Sequence, residues 1–112
     1  MTVSFNGIGQ VNATFLGEGL AENTMVKMSG SGTVAACADG DSFCGKTLCC
    51  KDDACTVQVG GFLTVGYSGT APALGWTALA ADGAGGVKSA SGGRTYLVAA
   101  VDTVSKTVTI ML

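Results

Sequence analysis

Residues 40–47 match a pattern that binds phosphate in nucleotide-binding proteins. Gly40-Asp41-Ser42-Phe43-Cys44-Gly45-Lys46-Thr47 fits G-x-x-x-x-G-K-[ST] at every defined position. In such a loop the backbone amides surround the phosphates, the lysine contacts the β- and γ-phosphates, and the threonine hydroxyl binds Mg²⁺. The match therefore nominates Lys46 and Thr47 for a nucleotide site.

The residues that follow this motif do not fit a nucleotide-binding domain. A phosphate loop must open a helix, whose amides and dipole hold the anion. Residues 48–55 have no helical apolar stripe and run into the β-rich segment Thr56–Val59. A chain of 112 residues punctuated by glycine also has no room for a parallel sheet with several crossover helices. We expect no nucleotide site, and nucleotide binding through Gly40–Thr47 stays an alternative.

The second group of reactive side chains is a set of five cysteines within 19 residues: Cys37, Cys44, Cys49, Cys50 and Cys55. Their odd number, in a chain without a signal peptide, favours small buried thiols in a reducing compartment. Structural zinc sites usually combine two separate C-x₂₋₄-C pairs, whereas the gaps here are six, four, zero and four residues, with Cys49 and Cys50 adjacent, and the chain has no histidine. We expect no metal site, and a small metal-binding module built on these cysteines stays an alternative.

Other catalytic arrangements find little support in the composition. Without histidine, neither a Ser-His nor a Cys-His pair can form. The close carboxylate pairs, Asp39 with Asp41 and Asp52 with Asp53, lie in segments typical of turns. We expect no catalytic residues, no cofactor and no enzymatic activity.

The elements that would position these residues are short strands separated by Gly, Ser, Asp and Asn. Gly60-Gly61 indicates a tight connection between two strands, and residues 102–106 indicate a hairpin loop. Gly45 indicates a β-bulge. Short helices are conceivable only over residues 19–25 and 71–79. The sequence predicts an all-β fold, a small compact β-barrel with little helix, over residues 20–112. The predicted strands are Met25–Met28, Thr33–Ala36, Ser42–Cys50, Cys55–Val59, Phe62–Val65, Trp76–Ala80, Val87–Ser89, Thr95–Val101 and Thr107–Leu112.

Residues 1–19 predict an extended N-terminal arm, because their isolated apolar residues show no helical periodicity. An extended arm can pair with an exposed sheet edge of a partner, while its apolar side chains fill pockets. A frayed terminus is the alternative. The candidate partner-binding residues are Val3, Phe5, Ile8, Val11 and Phe15.

The surface composition indicates contact with other proteins. Charged residues make up only 12% of the chain and hydrophobic residues 47%, whereas charge on an ordinary surface is more abundant. Gly, Thr and Ser in place of charge would be the simpler explanation. The net charge of −2 and the lack of a basic stripe oppose nucleic-acid binding. No apolar run approaches the ~20 residues of a membrane span, and no signal peptide is recognisable, so we expect synthesis in the cytoplasm.

The order of features along nearly the whole chain resembles the small capsid decoration, or cement-like, proteins of phage and prophage head operons. The features are the extended N-terminus, Val34-Ala35-Ala36-Cys37-Ala38-Asp39-Gly40-Asp41, the turn Phe43-Cys44-Gly45, Val57-Gln58-Val59-Gly60-Gly61-Phe62-Leu63-Thr64-Val65, the 66–75 loop, Leu79-Ala80-Ala81-Asp82-Gly83 with Gly86-Val87-Lys88, and the strands 96–101 and 108–112.

The resemblance implies a compact β-barrel that forms a homotrimer on the outside of an icosahedral capsid. In such proteins the N-terminal arm can add a strand to the major capsid protein. The expected function is therefore that of a virion structural protein that stabilises the capsid surface, is made in the host cytoplasm, and has no nucleic-acid or membrane partner.

Overall fold

The structure is a computed structural model that describes residues 9–112, and these residues form ten strands and no helix. None of them forms a helix long and apolar enough to cross a membrane. The strands are β1 (Val11–Leu16), β2 (Met25–Gly30), β3 (Thr33–Ala36), β4 (Gly45–Lys51), β5 (Ala54–Gly60), β6 (Phe62–Gly66), β7 (Gly75–Ala81), β8 (Val87–Ser89), β9 (Arg94–Asp102) and β10 (Thr107–Met111).

The first five strands close into a small barrel in the order β1-β3-β2-β4-β5. Strand β1 completes the closure, since it pairs antiparallel with β5 over six positions and touches β3 in parallel at Leu16 and Thr33. The barrel interior is small. It is filled by Val26, Val34, Cys55 and Val57, with Phe15 and Leu20 packed against them.

The last five strands form a second sheet in the order β6-β10-β9-β7-β8. Its inner face holds the larger core, because alternate residues such as Val98, Val108 and Ile110 are fully buried there. The barrel side contributes Met25 and Phe43 to this core. The Phe43 ring stacks on Tyr96 at 4.7 Å between centroids, and the Tyr96 hydroxyl donates to the Phe43 carbonyl at 3.3 Å.

The predicted fold class is confirmed: the chain is all-β and contains a closed five-stranded barrel. Each of the nine predicted strands overlaps an observed one, and residues 102–106 form the β9–β10 turn as expected. No helix forms over residues 19–25 or 71–79, the two segments in which a short helix was conceivable. The connection at Gly61 is tight, with a φ of +84°. It leads from β5 in the barrel to β6 in the second sheet.

Two sequence expectations differ from the structure in detail. The bulge in β4 lies between Thr47 and Cys49 and not at Gly45, which begins the strand. The glycine is required there for space, since a Cβ on Gly45 would lie 2.2 Å from the Gln58 carbonyl oxygen. The second difference is that β1 lies within the predicted arm of residues 1–19 and is hydrogen bonded inside the barrel.

Candidate functional site

The phosphate-binding pattern does not form a phosphate loop. Residues 41–44 are irregular, and Gly45 begins strand β4 where a nucleotide site requires a helix. Thr47 is fully buried. Its hydroxyl donates to the Ala21 carbonyl at 2.8 Å and accepts from the Thr24 amide at 3.0 Å. That hydroxyl is therefore committed to holding the loop before β2. The arrangement gives no support to the nucleotide-binding alternative.

Lys46 has a structural partner in the second sheet. Its Nζ donates to the Thr64 carbonyl at 2.9 Å, and burial lowers the pKa of this ammonium. Gln58, on the neighbouring strand β5, donates in the same way to the Phe62 carbonyl at 2.7 Å. Both acceptors belong to the edge strand β6, so two barrel side chains satisfy the carbonyls that this edge would otherwise present.

A polar cleft of about 490 Å³ lies beside Lys46. Asp82 lines it, but both of its carboxylate oxygens are occupied, by the Ser68 hydroxyl and by the amides of Ala84 and Gly86. Burial alone would raise the pKa of Asp82, but these hydrogen bonds outweigh it and lower the pKa. The two charged groups of the cleft are thus engaged within the fold, and the cleft offers neither an activated nucleophile nor a free base.

The cysteines are arranged differently from the expectation of five thiols. Cys50 and Cys55 face each other across the β4–β5 hairpin and form a disulfide, with 4.1 Å between their Cα atoms. Cys49, next in sequence, is an exposed thiol on the opposite face of the strand. Among residues 9–112 no three or more metal-ligating side chains cluster, so the zinc alternative has no ligand set there.

The hairpin geometry explains this disulfide. Asp52 and Asp53 form a two-residue turn in which both have positive φ, +55° and +62°, as the turns that match strand twist require. Such a turn places residues 51 and 54, and then 50 and 55, directly opposite each other. The pattern Cys-Lys-Asp-Asp-Ala-Cys could therefore have predicted the disulfide from sequence.

The remaining two thiols are partly buried. Burial, with a contribution from the nearby Asp41 carboxylate, raises the pKa of Cys37 to about 11, and burial also raises the pKa of Cys44. Neither thiol is therefore activated as a nucleophile.

The carboxylates that could have served acid–base chemistry are paired or lie in turns. Asp41 accepts from Lys27 at 2.6 Å and from the Ala38 amide, and these bonds lower its pKa, the Lys27 bond most. Asp39 forms an ion pair with Lys88 at 2.6 Å. Asp52 and Asp53 form the hairpin turn. These groups tie loops together and do not converge on one site.

An apolar surface lies on the outer face of the second sheet, the face turned away from the barrel. Strand register places Phe62, Met111, Leu97 and Trp76 side by side in one row across β6, β10, β9 and β7. We call these four residues the apolar row. Trp76 is 68% exposed and Leu74, just before it, is 69% exposed. The row has no signature in the sequence, because only the strand register brings the four residues together.

The surface beside the apolar row is also uncharged. Thr64 and Thr109 lie opposite each other, with 2.9 Å between their hydroxyl oxygens. Ala100 and the pair Ala78–Thr95 extend the same face on β9 and β7. The outer face therefore combines apolar and threonine side chains over four strands, and the charged residues of β9 lie at its two ends, at Arg94 and Asp102.

The candidate partner-binding residues of the N-terminus have different positions. Val3, Phe5 and Ile8 lie outside the described residues. Val11 is 56% exposed at the start of β1, whereas Phe15 packs against the barrel core. Of the two described residues, Val11 thus presents the more accessible surface.

Comparison with known proteins does not assign the chain to a family. No protein-family model matches the sequence, and no curated protein shows a significant match to it.

Proposed function

We propose that this protein is a structural subunit of a phage or prophage particle, which decorates the outside of the capsid by binding the major capsid protein and associates with copies of itself as a trimer. The observation that carries this proposal is the uncharged outer face with its apolar row. Trp76 in β7 and Leu74 in the loop before it are both more than two-thirds exposed, and such large apolar side chains are costly to leave in water. Contiguous apolar surfaces of this kind are typical of protein–protein contact.

The ion pairs of residues 9–112 lie outside the apolar row. Four of the charged residues pair within the chain, as Lys27 with Asp41 and Lys88 with Asp39, and these pairs fasten the loop of residues 38–41. A capsid-surface subunit needs a rigid body and a broad contact face more than it needs a reactive pocket. The distribution of charge and apolar surface in residues 9–112 meets that requirement.

Attachment to the capsid protein is assigned in this proposal to the N-terminus, through Val3, Phe5 and Ile8, with Val11 at the entry to the barrel. Strand addition needs a donor and a free edge. The β6 edge of this chain is already bonded to Lys46 and Gln58, and the β8 edge is bonded to Ser68. This chain is therefore better suited to donate a strand than to accept one.

The proposal is tested by mixing the purified protein with capsids that lack decoration and measuring cosedimentation. We expect saturable binding in a fixed ratio to the major capsid protein. The double variant Val3→Asn with Phe5→Asn should bind at least tenfold more weakly, a change of about 1.4 kcal/mol. Val104→Asn, at a hairpin-loop residue that is 95% exposed, is the matched control and should bind like the native chain. Absence of cosedimentation by the native protein would overturn the proposal.

A further inference from the structure

The two sulfurs of the Cys50–Cys55 disulfide have unequal access to solvent. Cys55 is 1% exposed and belongs to the core of the barrel. Cys50 is only partly buried, and it lines a surface cleft of about 190 Å³ between the loop of residues 17–20 and the hairpin turn. A small reagent in solution can therefore reach the sulfur of Cys50, whereas the barrel shelters the sulfur of Cys55.

The register that places the two cysteines opposite each other does not depend on the bond between them. The Asp52–Asp53 turn sets this register, and β5 is hydrogen bonded to β4 on one side and to β1 on the other. The reduced, folded chain should therefore hold the thiols of Cys50 and Cys55 side by side. A reagent that modifies one thiol would leave the other in position to displace it.

We propose that Cys50 is a site of reversible modification by low-molecular-weight disulfides, and that Cys55 is the thiol that resolves the modified form. In the first step the Cys50 thiolate attacks one sulfur of the reagent, which forms a mixed disulfide and releases one reagent thiolate. In the second step the Cys55 thiolate attacks the Cys50 Sγ and releases the other. The two protein thiols lose two electrons and two protons, and the reagent disulfide becomes two thiols.

The charge of the cleft indicates which small disulfide suits it. Asp52, Asp53 and Lys51 line the cleft together with Cys50 and give it one net negative charge. Like charges repel, so an anionic reagent such as oxidised glutathione is disfavoured there, and a cationic one is attracted. Cystamine, a small disulfide whose two amines are protonated at neutral pH, is therefore the probe that we choose.

The neighbouring Cys49 provides a comparison within the same strand. It is an exposed thiol on the opposite face, and its partner across the hairpin is Thr56, which has no thiol. A mixed disulfide at Cys49 should therefore form and persist, whereas one at Cys50 should be resolved by Cys55. The reduced native chain treated with cystamine should end with the Cys50–Cys55 bond and one cysteamine on Cys49.

The test compares two variants that both carry Cys49→Ser, so that the exposed thiol does not compete. One also carries Cys55→Ala and keeps Cys50, and the other also carries Cys50→Ala and keeps Cys55. After reduction, cystamine is added, the reaction is stopped with acid at intervals, and mass spectrometry counts the added cysteamine. The variant that keeps Cys50 should be modified at this position at least about tenfold faster, because access to the sulfur limits exchange. Circular dichroism establishes that both variants are folded.

A second measurement needs no substitution at the buried position. The reduced native chain is stopped with acid early in the reaction, and fragmentation between residues 49 and 50 locates each mixed disulfide. We expect cysteamine on Cys49 and on Cys50, with the Cys50 adduct replaced at later times by the Cys50–Cys55 bond. An adduct on Cys55, equal rates in the two folded variants, or a Cys50 adduct that persists in the native chain would overturn the proposal.

This proposal is independent of the proposed function, because it concerns the chemistry of one hairpin and uses no capsid. A chain that binds capsids but reacts at Cys55 would contradict the assignment of Cys50 and leave the capsid role intact. A chain that reacts at Cys50 but binds no capsid would support this assignment and contradict the capsid role.

Discussion

Two single residues, Lys46 and Gln58, link the barrel to the second sheet. Their side chains extend from β4 and β5 and donate to consecutive outward carbonyls of β6, at Thr64 and Phe62. An amide or carbonyl left unpaired at a half-buried edge costs free energy and invites pairing with another chain. The lysine of the phosphate-binding pattern thus stabilises a sheet edge in this fold.

Replacing Lys46 with Met tests that structural role. The variant keeps most of the apolar stem but loses the hydrogen bond to Thr64, so we expect the free energy of unfolding to fall by about 1 kcal/mol. Lys51→Met, in the same strand but at an exposed position, is the matched control and should change stability by less than about 0.5 kcal/mol. Urea titration followed by tryptophan fluorescence measures both.

The same proteins test nucleotide binding. Mg-ATP should leave the melting temperature of the native chain unchanged, because Thr47 is buried and Lys46 is bonded to Thr64. A ligand present at 100 times its dissociation constant would raise stability by about 2.7 kcal/mol. A rise in melting temperature with Mg-ATP that disappears in Lys46→Met would contradict our account.

At the scale of elements, the β4–β5 hairpin is fixed by both its turn and its disulfide. The Asp52–Asp53 turn sets the register, and the register places Cys50 against Cys55. The hairpin also carries Lys46 and Gln58, so it positions the links to the second sheet. Loosening the hairpin should therefore loosen the contact between the two sheets.

Thiol counting and reduction test the disulfide. The unfolded chain should show three reactive thiols, from Cys37, Cys44 and Cys49. Reduction should lower the free energy of unfolding by about 2 kcal/mol, the value for a six-residue closed loop. Cys49→Ser should respond to reductant like the native chain, whereas Cys50→Ala with Cys55→Ala should not respond. Five reactive thiols in the oxidised protein would show that the bond does not form.

Strand β1 is the element that the sequence did not reveal. Its alternation is weak, since only Ala13 and Phe15 turn inward, and its place in the barrel depends on pairing with β5, which lies about 40 residues further along the chain. Strands with strong turn signals, such as β9 and β10, could be predicted because their partners are adjacent in sequence. Long-range pairing of this kind leaves little local signal.

Two deletions define where the barrel begins. Removal of residues 1–8 should leave the fold intact, because β1 and its six pairs with β5 remain. Removal of residues 1–16 should unfold the chain, since it takes away a barrel strand together with the Phe15 contact to the core. Circular dichroism and thermal melting distinguish the two outcomes. A folded 17–112 fragment would show that β1 is dispensable.

At the scale of the whole molecule, residues 9–112 form two layers, the barrel and the second sheet. The barrel holds the hairpin and β1, and the second sheet packs one face on the barrel and turns the other outward. The all-β class and a barrel could be predicted from short strands and glycine-rich turns. The division into two sheets could not, because strand order and register are set by contacts between residues far apart in the sequence, and the apolar row depends on that register.

The measurement that tests the central claim most directly is electron cryomicroscopy of undecorated capsids before and after mixing with this protein. We expect new density on the outer capsid surface, shaped like the barrel and its second sheet, with the N-termini directed at the major capsid protein. Identical maps before and after mixing, or new density confined to the capsid interior, would contradict the account.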